Sequence, residues 1–326
     1  MGGDGQRMGQ SRPEANPQPM TWRPFDDGGR RGHNLGMPNP PLTVYYSPTY
    51  AVDGKMETVS KSKLVAALIE AGEAGEVWLE APKPATRQEL ELIHEAEYVR
   101  HTLEDKGAFL EVGPWSQPLL DSILASTGGM RDAVKEALKN GRSGSLSSGL
   151  HHARRNSGNG FCQFNGLALA ALEALKKVKT VGILDLDAHA GGGTFDILGD
   201  HPQVHLADVT VNSFDSWEPS DRERHFYVEV EQPKRYLEHV EEALLTLERV
   251  DFLIYNAGMD TYEKAGGMKG ITKEMILKRE KRVVQWARAR KIPHIFALAG
   301  GYKWGGLNLE QIAELHLETV QAFAQP

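Results

Sequence analysis

The stretch Thr180–Asp196, TVGILDLDAHAGGGTFD, limits what this chain can be more than any other. Its apolar run Val181–Leu184 lies between polar residues and a glycine triplet, which is typical of a buried strand. The run leads into Asp185, Asp187 and His189, and alternate residues of an extended chain share one face. Carboxylates beside an imidazole suit a divalent cation such as zinc. An isolated motif this short occurs equally well at an acidic strand end before a flexible loop. Other parts of the chain must therefore distinguish a metal site from such a strand end.

Strands and helices alternate along the chain from residue 42 onward. Apolar runs predict strands at 42–46, 181–184, 204–207, 251–255 and 294–298. Helical spacing predicts helices at 61–71, 130–140, 166–178, 234–247, 272–290 and 309–323, with a helix pair in 87–103. This alternation is typical of an α/β protein with a mostly parallel sheet, flanked by helices on both faces.

The chain of 326 residues divides into a tail and one domain. Residues 1–40 are rich in Gly, Pro, Arg and Asn and poor in aliphatic side chains, so they bury too little apolar surface to offset the entropy of ordering. We therefore predict a flexible N-terminal tail. No linker interrupts residues 41–326, which we predict to be one catalytic domain.

Charge and composition exclude several classes of protein. The formal net charge is −7 and no basic run stands out, which argues against direct nucleic-acid binding. No apolar run approaches the roughly 20 residues that cross a bilayer, so no membrane partner is expected. Cys162 is the single cysteine and has no partner for an intramolecular disulfide, which favours a reducing, cytoplasmic location.

Four loops that follow predicted strands carry polar or glycine-rich sequence. They are 147–164, with adjacent histidines; 185–194; 256–260, NAGMD; and 300–302, GGY. In parallel sheets, ligands bind beyond the carboxyl ends of the strands. The loops together therefore predict a metal site with an acid/base pair and a polarising phenol.

Five motifs in these loops carry a family resemblance. They are GLHHA, GFCQFN, ILDLDAH, YNAGMD and AGGY, in that order. With them the chain resembles the zinc-dependent histone deacetylase superfamily over Leu42–Phe323. That superfamily includes acetylpolyamine amidohydrolases and acetoin-utilisation proteins, and its arginase/deacetylase fold is what the resemblance implies here. The segments DLDAH and IYNAG are most similar to class IV deacetylases and their bacterial relatives.

The resemblance implies roles for the metal and proton-transfer residues. Asp187, His189 and Asp260 are expected to hold one zinc ion, with a water molecule in the open position. The tandem histidines His151 and His152 are expected to handle the proton. The sequence leaves open which of the two is the principal base.

The resemblance also implies how the substrate is held. Asp185 is expected to accept a hydrogen bond from His151 and fix its tautomer. Tyr302 is expected to donate to the amide oxygen as it becomes an oxyanion. Gly160 and Phe161 are expected to line an acyl-lysine channel. A potassium ion is expected at a further site formed by Asp185, Asp187, His189 and Asp208.

Two features depart from the family's pattern. Most relatives have an aspartate or asparagine, which orients the second tandem histidine, where this chain has Gly192. We therefore expect His152 to be less firmly oriented unless a water molecule or another side chain substitutes. We also predict that Gly192→Asp raises the pKa of His152 if the loop has room. The channel wall opposite Phe161 is not identifiable between Thr210 and Trp217.

These observations predict a zinc-dependent hydrolase that cleaves the amide of an acylated amine, foremost acyl-lysine in a protein or peptide. An acetylpolyamine or other small-molecule amidohydrolase is the alternative. An arginase-like ureohydrolase would use two metal ions and more ligands, against which the single His189 and the Gly-Gly-Tyr turn argue. A non-catalytic acyl-lysine-binding module is favoured only if Gly192 disables the base.

Overall fold

A mostly parallel sheet forms the centre of the protein. The computed structural model describes residues 40–52, 57–148 and 150–325, all in a single structural unit. The strands are β1 (Leu42–Tyr45), β2 (Val77–Glu80), β3 (Phe109–Leu110), β4 (Gly113–Pro114), β5 (Arg142–Ser145), β6 (Val181–Asp185), β7 (Val204–Thr210), β8 (His225–Glu229), β9 (Phe252–Asn256) and β10 (His294–Ala297). In the described residues, eight strands pair in parallel in the order β2-β1-β5-β10-β9-β6-β7-β8, while β3 and β4 form a separate antiparallel pair.

Helices lie between the strands in sequence. They are α1 (Glu57–Glu70), α2 (Arg87–Leu90), α3 (Ala96–Glu104), α4 (Gln117–Asn140), α5 (Gly166–Leu175), α6 (Gly192–Leu198), α7 (Tyr236–Thr246), α8 (Lys273–Arg290) and α9 (Leu309–Ala324). The described residues contain no helix with the length and apolarity that a bilayer crossing requires.

The central strands bury both of their faces. In β6, Val181 and Ile183 pack into a cluster with apolar residues of α3, α4, α5 and α6, whereas Leu184 packs into a second cluster with residues of α1, α7, α8 and α9. In β9, Ile254 and Tyr255 divide between the same two clusters. A continuous apolar run is what a strand covered on both sides requires. The predicted sheet with helices on both faces is therefore confirmed.

Strands β2, β5 and β8 were not predicted from the sequence. Strand β5 reads Arg-Ser-Gly-Ser, without one apolar side chain, yet it pairs with β1 and β10. The hydroxyls of Ser143 and Ser145 donate to backbone carbonyls of β1 at 2.7 and 3.2 Å. A Cβ atom on Gly144 would lie 2.1 Å from the ring of Phe296, so the glycine makes room for that side chain. Internal hydrogen bonds and close packing stand in for apolar side chains here.

Helix α4 is longer than the helix predicted at 130–140. It begins at Gln117, with Pro118 in its first turn, and ends at Asn140, where Gly141 with a φ of 85° caps the helix. Gly128 lies mid-helix because a Cβ atom there would be 2.1 Å from the Lys83 carbonyl oxygen. The glycine permits close approach, although the same residue in a sequence argues against a helix.

The predicted tail, residues 1–40, lies outside the described residues except for Pro40. The boundary of the catalytic domain at residue 41 therefore stays a prediction. The carboxyl ends of β5, β6, β7, β9 and β10 all lie at one edge of the sheet, because these strands are parallel. The loops that follow them form the candidate site.

Candidate functional site

The structure brings Asp187, His189 and Asp260 together at the carboxyl ends of β6 and β9. Each offers one ligand atom, and these atoms lie within 4.8 Å of one another. His189 Nδ1 lies 3.2 Å from Asp187 Oδ1 and 3.4 Å from Asp260 Oδ2. Both carboxylates are buried and the imidazole is partly exposed. Two buried carboxylates and one imidazole that solvent can reach are donor groups that can hold a divalent metal ion.

Backbone amides fix the two carboxylates in place. Asp187 Oδ2 accepts from the Gly300 amide at 2.7 Å, and Asp260 Oδ1 accepts from the Ala188 amide at 3.0 Å. A Cβ atom on Gly300 would lie 2.0 Å from Asp260 Oδ2, so the AGGY turn must be glycine at this position. The turn therefore packs directly against the ligand atoms.

The electrostatics of this cluster fit a cation. Asp260 Oδ2 is buried and accepts no hydrogen bond within the described residues. Burial and the charge of Asp187 raise the pKa of Asp260. Burial would lower the pKa of His189, but the two carboxylates outweigh it and raise that pKa to about 10. Two buried negative charges and an unpaired oxygen are the environment that a bound metal ion neutralises.

The tandem histidines follow β5, in a loop whose Gly149 lies outside the described residues. His151 Nδ1 lies 2.8 Å from Asp185 Oδ2, as predicted, and Asp185 Oδ1 accepts from the Asn256 side chain at 2.9 Å. The rings of His151 and His152 have centroids 3.9 Å apart. Two imidazolium ions this close repel each other strongly, so the pair favours a single charge.

The carboxylates decide where that charge lies. Burial would lower the pKa of His151, but Asp185 and Asp187 outweigh it and raise the pKa to about 10. Burial and then the charge of His151 lower the pKa of His152 to about 4, and Asp215 offsets them only in part. His152 is therefore the neutral member of the pair, and a neutral imidazole can accept a proton.

His152 was expected to be less firmly oriented because of Gly192, but another side chain takes the place of the missing one. Its Nδ1 lies 2.9 Å from Asp215 Oδ2, although Asp215 belongs to the loop after β7 and not to the loop of Gly192. A Cβ atom on Gly192 would lie 2.3 Å from the Asp215 carbonyl oxygen. The loop therefore has no room for Gly192→Asp, and the predicted rise in the pKa of His152 is replaced by a predicted clash.

Phe214 supplies an aromatic side chain that the sequence did not identify. Its ring meets those of His152 and His189 edge to face, with centroids 5.0 and 5.9 Å apart, and it is 43% exposed. Gly160 lies between the two, because a Cβ atom on it would be 2.5 Å from His152 Cδ2 and 3.0 Å from Phe214 Cε1. Phe161 instead lines a neighbouring pocket with Tyr50 and other residues, so its role in the channel stays a prediction.

Tyr302 comes two residues after Gly300, which contacts the carboxylate cluster. It is buried, and its amide donates to the Ala265 carbonyl oxygen at 2.9 Å. Its ring stacks on Trp304 with centroids 4.3 Å apart and planes 8° apart. The phenol is thus held on the turn that adjoins the candidate metal ligands.

Asp208 lies beside Asp185 in the paired strands β7 and β6. Its Oδ2 accepts from the Gly191 amide at 2.7 Å and from Trp217 Nε1 at 3.0 Å, whereas its Oδ1 is buried and accepts no hydrogen bond within the described residues. Burial and the charge of Asp185 raise the pKa of Asp208. The predicted potassium site is not tested by this geometry and stays a prediction.

His94 holds the loop of the tandem histidines through hydrogen bonds of its two ring nitrogens. Its Nε2 accepts from the Asn165 amide at 3.0 Å, so its Nδ1 carries the proton and donates to the Arg154 carbonyl oxygen at 2.7 Å. Burial lowers the pKa of His94 to about 4. Protonation would put a second N–H group against the Asn165 amide and break this arrangement.

We therefore expect His94 to make the protein less stable in acid. The unfolded chain takes up a proton below about pH 6.5, whereas folded His94 stays neutral down to about pH 4, so stability falls as the pH falls through this window. Between pH 6.5 and 5 the loss in the free energy of unfolding is about 2 kcal/mol. Urea unfolding across this range should show a shallower pH slope in His94→Asn than in the wild type. An equal slope in both proteins would contradict the assignment.

Comparison with known proteins covers most of the chain. The family model described as histone deacetylase domain matches residues 55–320. An uncharacterized protein of Picosynechococcus sp. is 30% identical over 240 residues, which cover 68% of this chain and 77% of that protein. Histone deacetylase 2 of Arabidopsis thaliana is 28% identical over 294 residues, which cover 80% of this chain and 74% of that protein.

The fold has a solved counterpart. The crystal structure of the HDA15 HD domain matches with a TM-score of 0.71 and 19% sequence identity, covering 87% of this chain and 90% of that one. At this identity the match bears on the fold alone. It confirms the predicted α/β architecture.

Proposed function

The chain belongs to the histone deacetylase family, and we propose that it hydrolyses the amide bond of an acylated amine, with acyl-lysine in a peptide or protein as the preferred substrate class. The observation that carries this proposal is the convergence of Asp187, His189 and Asp260 beside a neutral His152. A cation-binding cluster and a proton acceptor are the two parts that amide hydrolysis by water requires.

We propose that one zinc ion is held by Asp187, His189 and Asp260. Asp260 Oδ2 is buried without a hydrogen bond in the described residues, and the two carboxylates raise the pKa of His189; both observations support a cation at this point. Bound there, zinc would supply Lewis-acid polarisation of the amide carbonyl and activation of a water molecule. We also propose a structural potassium ion beside Asp185, Asp187, His189 and Asp208, which the unpaired Asp208 Oδ1 supports.

His152 takes the proton of the attacking water and returns it to the leaving amine. Burial and the neighbouring His151 keep it neutral, so it can act as a base near neutral pH. His151 keeps a positive charge through its contact with Asp185 and stabilises negative charge that develops beside it. We therefore propose His152, and not His151, as the principal base.

Tyr302 and the channel residues complete the proposal. The Tyr302 hydroxyl donates a hydrogen bond to the amide oxygen as negative charge develops on it. Gly160 and Phe214 form the wall next to His152, where an extended alkyl chain can pass without a branched side chain in its way. The products are a carboxylate and a free amine.

A substrate panel with mass-spectrometric readout tests this proposal. It contains acetyl- and longer acyl-lysine peptides, acetylpolyamines, arginine and agmatine, with the unacylated lysine peptide as control. We expect an acyl-lysine peptide to be hydrolysed fastest. Faster hydrolysis of acetylpolyamines than of acyl-lysine peptides would indicate a small-molecule amidohydrolase. Faster cleavage of arginine or agmatine than of every acylated amine would overturn the proposal, and binding without turnover would leave an acyl-lysine-binding module.

A further inference from the structure

We propose that Asp215, held by Arg154, is the positioning residue that orients His152 for proton transfer, in place of a side chain at position 192. This inference rests on the proposed function, because the proton transfer belongs to the same amide hydrolysis. It assigns to the loop after β7 a part of the catalytic apparatus that the motifs of this chain do not contain.

Both carboxylate oxygens of Asp215 make hydrogen bonds. Its side chain is 1% exposed. Oδ2 lies 2.9 Å from His152 Nδ1 and accepts from the Gly193 amide at 3.2 Å, while Oδ1 accepts from the Arg154 guanidinium. A carboxylate held by an arginine and a backbone amide keeps one orientation. His152 is therefore held against a fixed acceptor.

This contact sets the tautomer of His152. A carboxylate oxygen has no proton to give, so Nδ1 of His152 is the donor and Nε2 is left with its lone pair. Asp215 thereby does for His152 what Asp185 does for His151. Loss of the carboxylate would free the ring to take the other tautomer, with its proton on the nitrogen that must accept one.

The backbone explains why the carboxylate comes from this loop. A Cβ atom on Gly192 would lie 2.3 Å from the Asp215 carbonyl oxygen and 2.6 Å from its Oδ1, so the loop of Asp215 fills the space that a side chain at 192 would need. Asp215 has a φ of 59°, in the left-handed region that Asp, Asn and Gly tolerate best. The loop therefore requires glycine at 192 and supplies the carboxylate itself.

The same loop holds the channel wall. Phe214, the residue before Asp215, contacts the rings of both His152 and His189, and its carbonyl oxygen accepts from the Ala190 amide at 3.1 Å. Two consecutive residues therefore set the wall beside the substrate and the orientation of the base. Arg154 ties the loop to the tandem histidines in the same way, since it lies two residues after His152 in the chain.

The test removes the carboxylate and leaves the loop backbone in place. Asp215→Asn and Asp215→Gly both suit the left-handed backbone, and Asp215→Asn also keeps the size of the side chain. The control is Asp200→Asn, an exposed carboxylate at the end of α6. For each protein we would measure kcat and KM on an acyl-lysine peptide, zinc content and melting temperature.

Asp215→Asn should lower kcat at least about tenfold with KM and zinc content unchanged, since a mispositioned base slows only the proton transfer. Asp215→Gly should lose as much, and Gly192→Asp should lose activity through its clash with the Asp215 carbonyl oxygen. Unchanged kcat in Asp215→Asn would overturn the proposal. So would a folded, zinc-loaded Asp215→Gly variant with the kcat of the wild type.

Nitrogen NMR of the histidine side chains separates this inference from the proposed function. The wild type should show His152 protonated on Nδ1, and Asp215→Asn should show a mixture of tautomers. This measurement needs no turnover, so it holds even if no acylated amine is hydrolysed. A His152 protonated on Nε2 in the wild type would overturn the inference by itself, and this result needs no variant that folds.

Discussion

Asp187→Ala, His189→Ala and Asp260→Ala are each expected to lose bound zinc and amide hydrolysis together. The three ligand atoms lie within 4.8 Å of one another, and each replacement leaves two protein ligands where a catalytic zinc site has three. Metal activation is worth several kcal/mol, so turnover should fall by more than about 10³. Metal analysis and turnover on the same samples check this result.

The matched control is Asp200→Ala, an exposed carboxylate in the turn after α6. It should retain both zinc and activity. Full zinc occupancy in any of the three ligand variants at neutral pH would contradict the assignment of that residue. Loss of zinc with activity retained would show that hydrolysis does not depend on the metal.

Tyr302→Phe is expected to keep the fold and the metal but to lose about 10² to 10³ in turnover, the usual effect of one oxyanion donor. The ring stays stacked on Trp304 in this variant, because only the hydroxyl is removed. The loss should appear in kcat more than in KM, since the hydrogen bond strengthens as charge develops on the amide oxygen. Steady-state kinetics on an acyl-lysine peptide measure both constants.

Tyr227→Phe serves as the control, because Tyr227 lies in β8 at the far edge of the sheet. Its hydroxyl is removed in the same way without any expected change in turnover. If Tyr302→Phe turned over at nearly the wild-type rate, the oxyanion would have to be stabilised by another group, and His151 would be the first candidate.

The parts of the fold that could be predicted are those whose pattern of apolar and polar side chains indicates whether they are buried. Strand β6 is apolar on both faces and ends in alternating metal-binding residues, so both its burial and its role could be inferred from spacing. Strand β5 could not be predicted in the same way. Ser143 and Ser145 satisfy their hydroxyls on a neighbouring strand, and such pairing is not visible in a linear pattern.

The same distinction applies to the candidate site, where some residues lie in recognisable motifs and others do not. Asp187, His189 and Asp260 lie in motifs whose order is informative, and the structure brings them together as expected. Asp215 and Phe214 lie in the segment NSFDS, which has no pattern of its own. Their contacts with His152 depend on how the loop after β7 folds back over the tandem histidines, and this is a property of the tertiary structure alone.

Gly192 illustrates the difference most clearly. Considered in sequence, a glycine at this position predicts a weakly held base. In three dimensions the glycine leaves the space that Asp215 occupies, so the carboxylate is moved and not lost. A missing motif residue is therefore a reason to search the neighbouring loops for a substitute.

The central claim is that one metal ion per chain supports hydrolysis of an acylated amine. Titrating zinc into metal-free wild-type protein while following cleavage of an acetyl-lysine peptide tests this claim most directly. We predict that activity rises linearly and reaches its plateau at one zinc ion per chain. Activity that survives complete removal of the metal, or that needs two ions per chain as in a ureohydrolase, would contradict it.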